Sequence, residues 1–156
     1  MESDEYNRIV RTYIDEVYRA ALSCCRSRED AEDAVQSAFL KLLTTDTVFS
    51  SEEHIRRWLI RVAVNECRNR LTSFWRRNVS SLEESGELSA EFSEDERWLL
   101  DEISRLPSKY SSVLHLHYYE GYTCAEIADI LRISETNVQT RLMRARKMLK
   151  KNIEEA

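Results

Sequence analysis

Only three residues in this chain, Gly86, Pro107 and Gly121, interrupt a helix by their own backbone chemistry. A sheet needs turns between its strands, and a phosphate-cradling loop needs several glycines close together. A chain of 156 residues with so few breakers is poorly equipped for either. Long helices need neither, so the expected class is all-α. The length suits one ordinary domain or two small ones.

Apolar periodicity locates the helices. Residues 5–24 carry Tyr6, Ile9, Val10, Tyr13, Ile14, Val17, Tyr18, Ala21 and Leu22 at the spacing of one helical face. A second helix begins at Ser27, where S-R-E-D offers a capping hydroxyl and an acid three residues on, and continues with Ala31, Ala34, Val35, Ala38, Phe39 and Leu42. The polar stretch 44–51 is a loop. A third helix covers 52–74, and its middle, WLIRVAV, is apolar almost all round, as suits the buried helix of a bundle. Serine and glutamate dominate 78–93, a composition that buries too little surface to fold alone and reads as a tether. Structure resumes near Glu94 with Trp98, Leu99, Ile103 and Leu106, breaks at Pro107, and restarts at Ser108. Tyr110, Val113, Leu114 and Leu116 follow, with Gly121 as the expected C-terminal cap. The expected division is 1–77, a helical bundle; 78–93, an acidic linker; and 94–156, a second helical bundle.

Charge is distributed in blocks. The formal net charge is −5, which by itself argues against a polyanionic partner. Yet His54–Arg77 holds seven arginines against Glu66, and Arg132–Lys151 holds seven basic residues against Glu135. Between them Val79–Arg105 holds nine acids and two arginines. An approaching polyanion meets the local patch rather than the sum.

Thr123–Lys151 carries the most informative pattern. Thr123 is placed to cap a short helix with Ile127, Ala128 and Leu131, a tight turn spans Arg132–Ser134, and a longer helix starts near Glu135. In that helix Val138, Leu142, Ala145 and Leu149 fall on one arc. Thr136, Thr140, Met143, Arg144, Lys147 and Lys151 fall on the opposite one, flanked by Asn137 and Arg141. This is helix-turn-helix architecture. Arginine can fork onto guanine and asparagine onto adenine, while lysines suit phosphates. The candidate duplex-reading residues are Thr136, Asn137, Thr140, Arg141, Arg144 and Lys147.

The segment LPSKYSSVLHLHYYEGYTCAEIADILRISETNVQTRLMRARKMLKK resembles region 4 of bacterial RNA polymerase sigma factors of the extracytoplasmic-function (ECF) group. The likeness rests on Leu106–Pro107, Glu120–Gly121, Glu126–Ala128, Leu131, Ile133–Ser134, Val138, Arg141–Leu142 and Arg144–Arg146. It implies that the module reads the −35 promoter element. Arg132 stands where the family often has glycine, so the turn here is expected to differ slightly.

SREDAEDAVQSAFLKLL is similar to the part of sigma region 2 that docks on the polymerase clamp, which implies polymerase contacts for Asp30, Asp33 and Gln36. Without the resemblance, the acids read as ordinary helix N-terminal charges. HIRRWLIRVAVNECRNRLTSFWRR resembles the promoter-melting helix, with Arg57, Arg61, Asn65 and Arg68 on one helical face. Phe49 falls where the family holds a base flipped from the −10 element. Trp58 matches a family tryptophan, although a mid-helix tryptophan is more often core. Phe74 and Trp75, beside Arg76 and Arg77, either stack on unpaired bases or close the module.

The resemblance spans most of the chain and implies a sigma factor. Its expected partners are core RNA polymerase, promoter DNA and an anti-sigma factor. The rival reading is a stand-alone helix-turn-helix regulator that binds duplex DNA without polymerase. No enzymatic constellation links His54, His115 and His117, and no metal or cofactor is expected. Cys24, Cys25, Cys67 and Cys124 lack metal-site spacing and are expected to be reduced thiols in a cytoplasmic protein. No membrane insertion is expected.

Overall fold

The computed structural model describes the backbone of residues 1–25, 27–77 and 94–155, with side chains for all of these except 70–77 and 96. Among the described residues there are seven α-helices, one π-helical turn and no strand. The chain divides into two units, Met1–Glu84 and Ser85–Ala156. The expected tether, and the side chains of Phe74, Trp75, Arg76 and Arg77, lie outside the described residues.

The first unit packs α1 (Ser3–Cys24), α2 (Arg28–Thr44) and α3 (Glu52–Arg77) against one another. Ser27 starts α2 as its sequence suggests: the hydroxyl accepts from the Asp30 N–H at 3.1 Å, and Glu29 and Asp30 sit in the dipole-favoured first turn. α2 offers the core small residues, Ala31, Ala34 and Ala38, which permit close helix approach. α3 contributes Leu59, Ile60, Ala63 and Val64, all fully buried. The apolar stripe of α1 is wider than its core face: Ile9, Tyr13, Val17 and Ala21 are buried, but Ile14 is exposed and Tyr6, Val10 and Tyr18 are half-buried.

Glu52 fastens the start of α3 to α1. Tyr13 Oη donates to its carboxylate at 2.6 Å, and Arg8 donates at 2.8 and 3.3 Å. The tyrosine bond and the guanidinium hold the Glu52 carboxyl below its ordinary value. Burial, reinforced by Glu52, pushes the Tyr13 hydroxyl up to about 12. Arg56 further ties α3 to Glu16 of α1 at 2.5 Å.

The cysteines depart from expectation. Cys25 at the end of α1 and Cys67 on α3 form a disulfide across 42 residues, with Cα atoms 5.3 Å apart and both residues buried. Spacing rules detect partners close in sequence, whereas this pair meets because α1 packs on α3. Cys24, which is buried, and Cys124 are not disulfide-bonded.

The second unit comprises α4 (Glu94–Ser104), α5 (Ser108–Leu114), a π-helical turn (His115–Tyr119), α6 (Cys124–Leu131) and α7 (Glu135–Glu154). Leu100, Ile103 and Leu106 anchor α4 and the bend after it, while Trp98 is exposed. The π-helical turn brings His115 Nε2 within 3.0 Å of the Glu120 carboxylate, and both residues are buried. Gly121 ends this segment at φ +75°, open space surrounding the position where a Cβ would stand, so backbone conformation alone favours glycine there. The Tyr122 N–H closes the end on the Leu116 carbonyl at 3.0 Å.

Candidate nucleic-acid interfaces

α6 is held at its start by a complete capping box between Thr123 and Glu126. It ends at Arg132, whose φ of 57° and ψ of 44° are left-handed. The Ile133 N–H bonds the Ala128 carbonyl at 3.1 Å, and the Arg132 N–H reaches the same oxygen. This is the hydrogen-bond pattern of a glycine-terminated helix. The expected deviation of the turn is therefore absent: the arginine adopts the glycine conformation, at a cost of about 1 kcal/mol. Ser134 then caps α7 by accepting from the Asn137 N–H at 3.0 Å.

α7 packs on α4, α5 and α6. Val138, Leu142 and Ala145 are buried, and Leu149 is half-buried. On the other side Thr136, Asn137, Met143, Arg144 and Lys147 are exposed and Thr140 is half-buried. Arg141 is half-buried too, and its Nε donates to the Asn137 side-chain oxygen at 3.2 Å, orienting the amide on the cationic face. All six candidate residues thus lie on one short stretch of one helix. The sequence reading missed Tyr118, whose hydroxyl accepts from Arg146 Nε at 2.6 Å while the guanidinium carbon stands 5.5 Å from the ring centroid. Their separation of 28 residues leaves no local signal.

In the first unit Arg57 and Arg61 are exposed on α3, and Asn65 and Arg68 are half-buried. Arg57 donates to Glu53 one turn back at 3.0 Å. Phe49, in the loop before α3, stands edge-on to Trp58 with ring centroids 5.7 Å apart, and at 5.1 Å from the His54 ring. Trp58 is half-buried, so it is neither wholly core nor wholly exposed. Helix geometry puts Trp58 on the turn of α3 shared by Arg57 and Arg61, so the aromatic group adjoins the cationic stripe. Cations beside accessible aromatic faces suit unpaired nucleic acid.

Residues 9–77 match Sigma-70 region 2, and residues 96–149 match Sigma-70, region 4. Those two spans contain both candidate surfaces. The ECF RNA polymerase sigma-E factor of Haemophilus influenzae is 31% identical, over 96% of this chain and 87% of the relative. The chain belongs to the ECF RNA polymerase sigma factors. Another member, SigW of Bacillus subtilis, is 26% identical over 97% of this chain and 90% of its own length. In fold, this sigma factor is similar to the sigma factor RpoE from Bartonella quintana, solved in complex with the anti-sigma factor NepR. The TM-score is 0.78 at 17% identity, covering 96% of this chain and 97% of that one.

The sigma factor has a further feature on α2. Asp33 is half-buried and Gln36 exposed on a groove of about 740 Å³ between α1 and α2, floored by Val10, Val35 and Phe39. Asp30 is half-buried but is not part of the groove lining; its backbone N–H is engaged by the Ser27 cap. The α1 side supplies Ile14 and Tyr18, whose hydroxyl is buried without a hydrogen-bond partner. These α1 residues read as core in the sequence, and only the pairing of two helices makes them a surface.

Proposed function

We propose that this sigma factor binds core RNA polymerase through the α1–α2 groove and through its C-terminal unit, and carries promoter recognition to the enzyme. α7 engages −35 duplex through Thr136, Asn137, Thr140, Arg141, Arg144 and Lys147. Arg57, Arg61, Asn65 and Arg68, with Phe49, take the unpaired −10 strand. The observation that carries this reading is the presence in one chain of two different cationic surfaces, a smooth helix face and an aromatic-edged one. A stand-alone regulator needs only the first.

The chain is a non-enzymatic, cytoplasmic factor. Strand opening is driven by binding energy for the unpaired bases, and the polymerase performs phosphoryl transfer. The acidic segment 78–93 acts as a tether through a basic channel of the polymerase. An anti-sigma factor silences the protein by covering its polymerase-binding faces; the complex formed by the Bartonella protein supports such a partner. The test is transcription in vitro from a randomised promoter library with core polymerase. Promoter-specific transcripts that require the chain are expected. Transcription indifferent to it contradicts the reading.

A further inference from the structure

The loop bearing Phe49 is fastened at both ends by side-chain hydrogen bonds. At its start the Thr45 hydroxyl accepts from the Thr47 N–H at 3.2 Å. At its end the Ser51 hydroxyl accepts from the His54 N–H at 3.1 Å, an ordinary N-terminal cap for α3. In S-E-E-H the histidine occupies the position where a capping box carries glutamate or glutamine.

This histidine does more than the acid would. Its Nδ1 accepts the Ser50 backbone N–H at 3.1 Å and lies 3.3 Å from the Ser50 hydroxyl. An amide donating to Nδ1 requires a lone pair there, which places the ring proton of neutral imidazole on Nε2. The same ring meets Phe49 at 5.1 Å and 69°, an edge-on contact, and Phe49 meets Trp58 at 5.7 Å and 80°. One side chain therefore holds the backbone next to Phe49 and abuts the Phe49 ring, in a loop where the neighbouring Val48 is 88% exposed.

We propose that His54 is a positioning residue for strand capture, clamping the 45–51 loop so that Phe49 is presented to an unpaired base. The proposal rests on the reading of Phe49 as a base-contacting residue. A helix cap alone would be served as well by glutamine, which restores the capping box but has no ring to set Phe49.

The test uses holoenzyme reconstituted from core polymerase and the full chain. The probe is a library-selected promoter, premelted at −10, with 2-aminopurine in the non-template strand. His54→Ala is expected to weaken capture of the premelted strand about tenfold, the scale of one lost base stack, while affinity for −35 duplex is unchanged. His54→Gln is expected to restore the thermal midpoint of the chain but not strand capture. Full recovery of capture in His54→Gln reduces His54 to a helix cap and overturns the proposal. Unchanged capture in His54→Ala, with Phe49→Ala impaired, overturns the proposal and leaves the Phe49 reading standing. Unchanged capture in Phe49→Ala overturns both.

Discussion

The two cationic elements of this sigma factor are built on opposite plans. α7 divides cleanly, with Val138, Leu142 and Ala145 buried and Thr136, Asn137, Arg144 and Lys147 exposed. α3 buries Ile55, Leu59, Ile60, Ala63, Val64 and Cys67, keeps a narrow stripe of arginine and asparagine, and shares its chemistry with a loop. Under the proposed function, the difference follows from what each would hold. A duplex offers its base edges in a groove that admits a helix, so one rigid face suffices. An unpaired base has to be received between aromatic faces, which requires a loop and supports for it. Duplex reading should therefore fail through single exposed side chains, and strand capture also through the scaffold behind them.

The largest expected effect separates the scaffolds. Among the described residues only the first unit contains a cross-link, and opening the Cys25–Cys67 disulfide releases a loop spanning 42 residues. Chain-entropy arguments put the loss at about 4 kcal/mol. Urea denaturation of the Cys25→Ala/Cys67→Ala variant, or of the reduced protein, should show it. An unmoved midpoint would remove the cross-link from the account of this unit.

Next comes a crossover. Arg144→Ala should weaken holoenzyme binding to −35 duplex about tenfold, the scale of one base contact, and leave capture of a premelted −10 strand unchanged. Phe49→Ala should do the reverse on the same scale. Fluorescence anisotropy on the two probes measures both. Equal losses on both probes would dissolve the contrast between the surfaces.

Smaller effects test the local supports. Ser134→Ala removes the cap of α7 and should cost about 1 kcal/mol in thermal melts. Glu52→Gln should lower stability slightly at neutral pH. Because the folded carboxyl titrates below its ordinary value near 4.5, its contribution is present above that value. It is lost as the pH falls through the lower folded one, so wild type and variant should converge in acid. A gap that persists in strong acid would assign the effect to packing instead.

Local chemistry was readable and long-range chemistry was not. The caps at Ser27 and Thr123 and the faces of α7 involve partners three or four residues apart, so helical period and residue type reveal them. The six duplex-reading candidates form one surface for that reason. The Cys25–Cys67 bond, the Tyr118–Arg146 pair and the α1 wall of the groove each join segments that meet only on folding. Arg132 marks a different limit. Its sequence position suggested an altered turn, but the surrounding helices impose the left-handed conformation on a residue that disfavours it. His54 entered the sequence reading only as a histidine without catalytic partners, since nothing there foretells its contact with Phe49.

The central claim is that promoter recognition by this chain depends on polymerase. Labelled promoter duplex titrated with the chain alone, with sigma-free core polymerase alone, and with both together tests it directly. The account predicts tight, sequence-dependent binding with opening of the −10 region only when both are present. Equally tight and selective binding by the chain alone, or failure of the chain to associate with core polymerase, would contradict it.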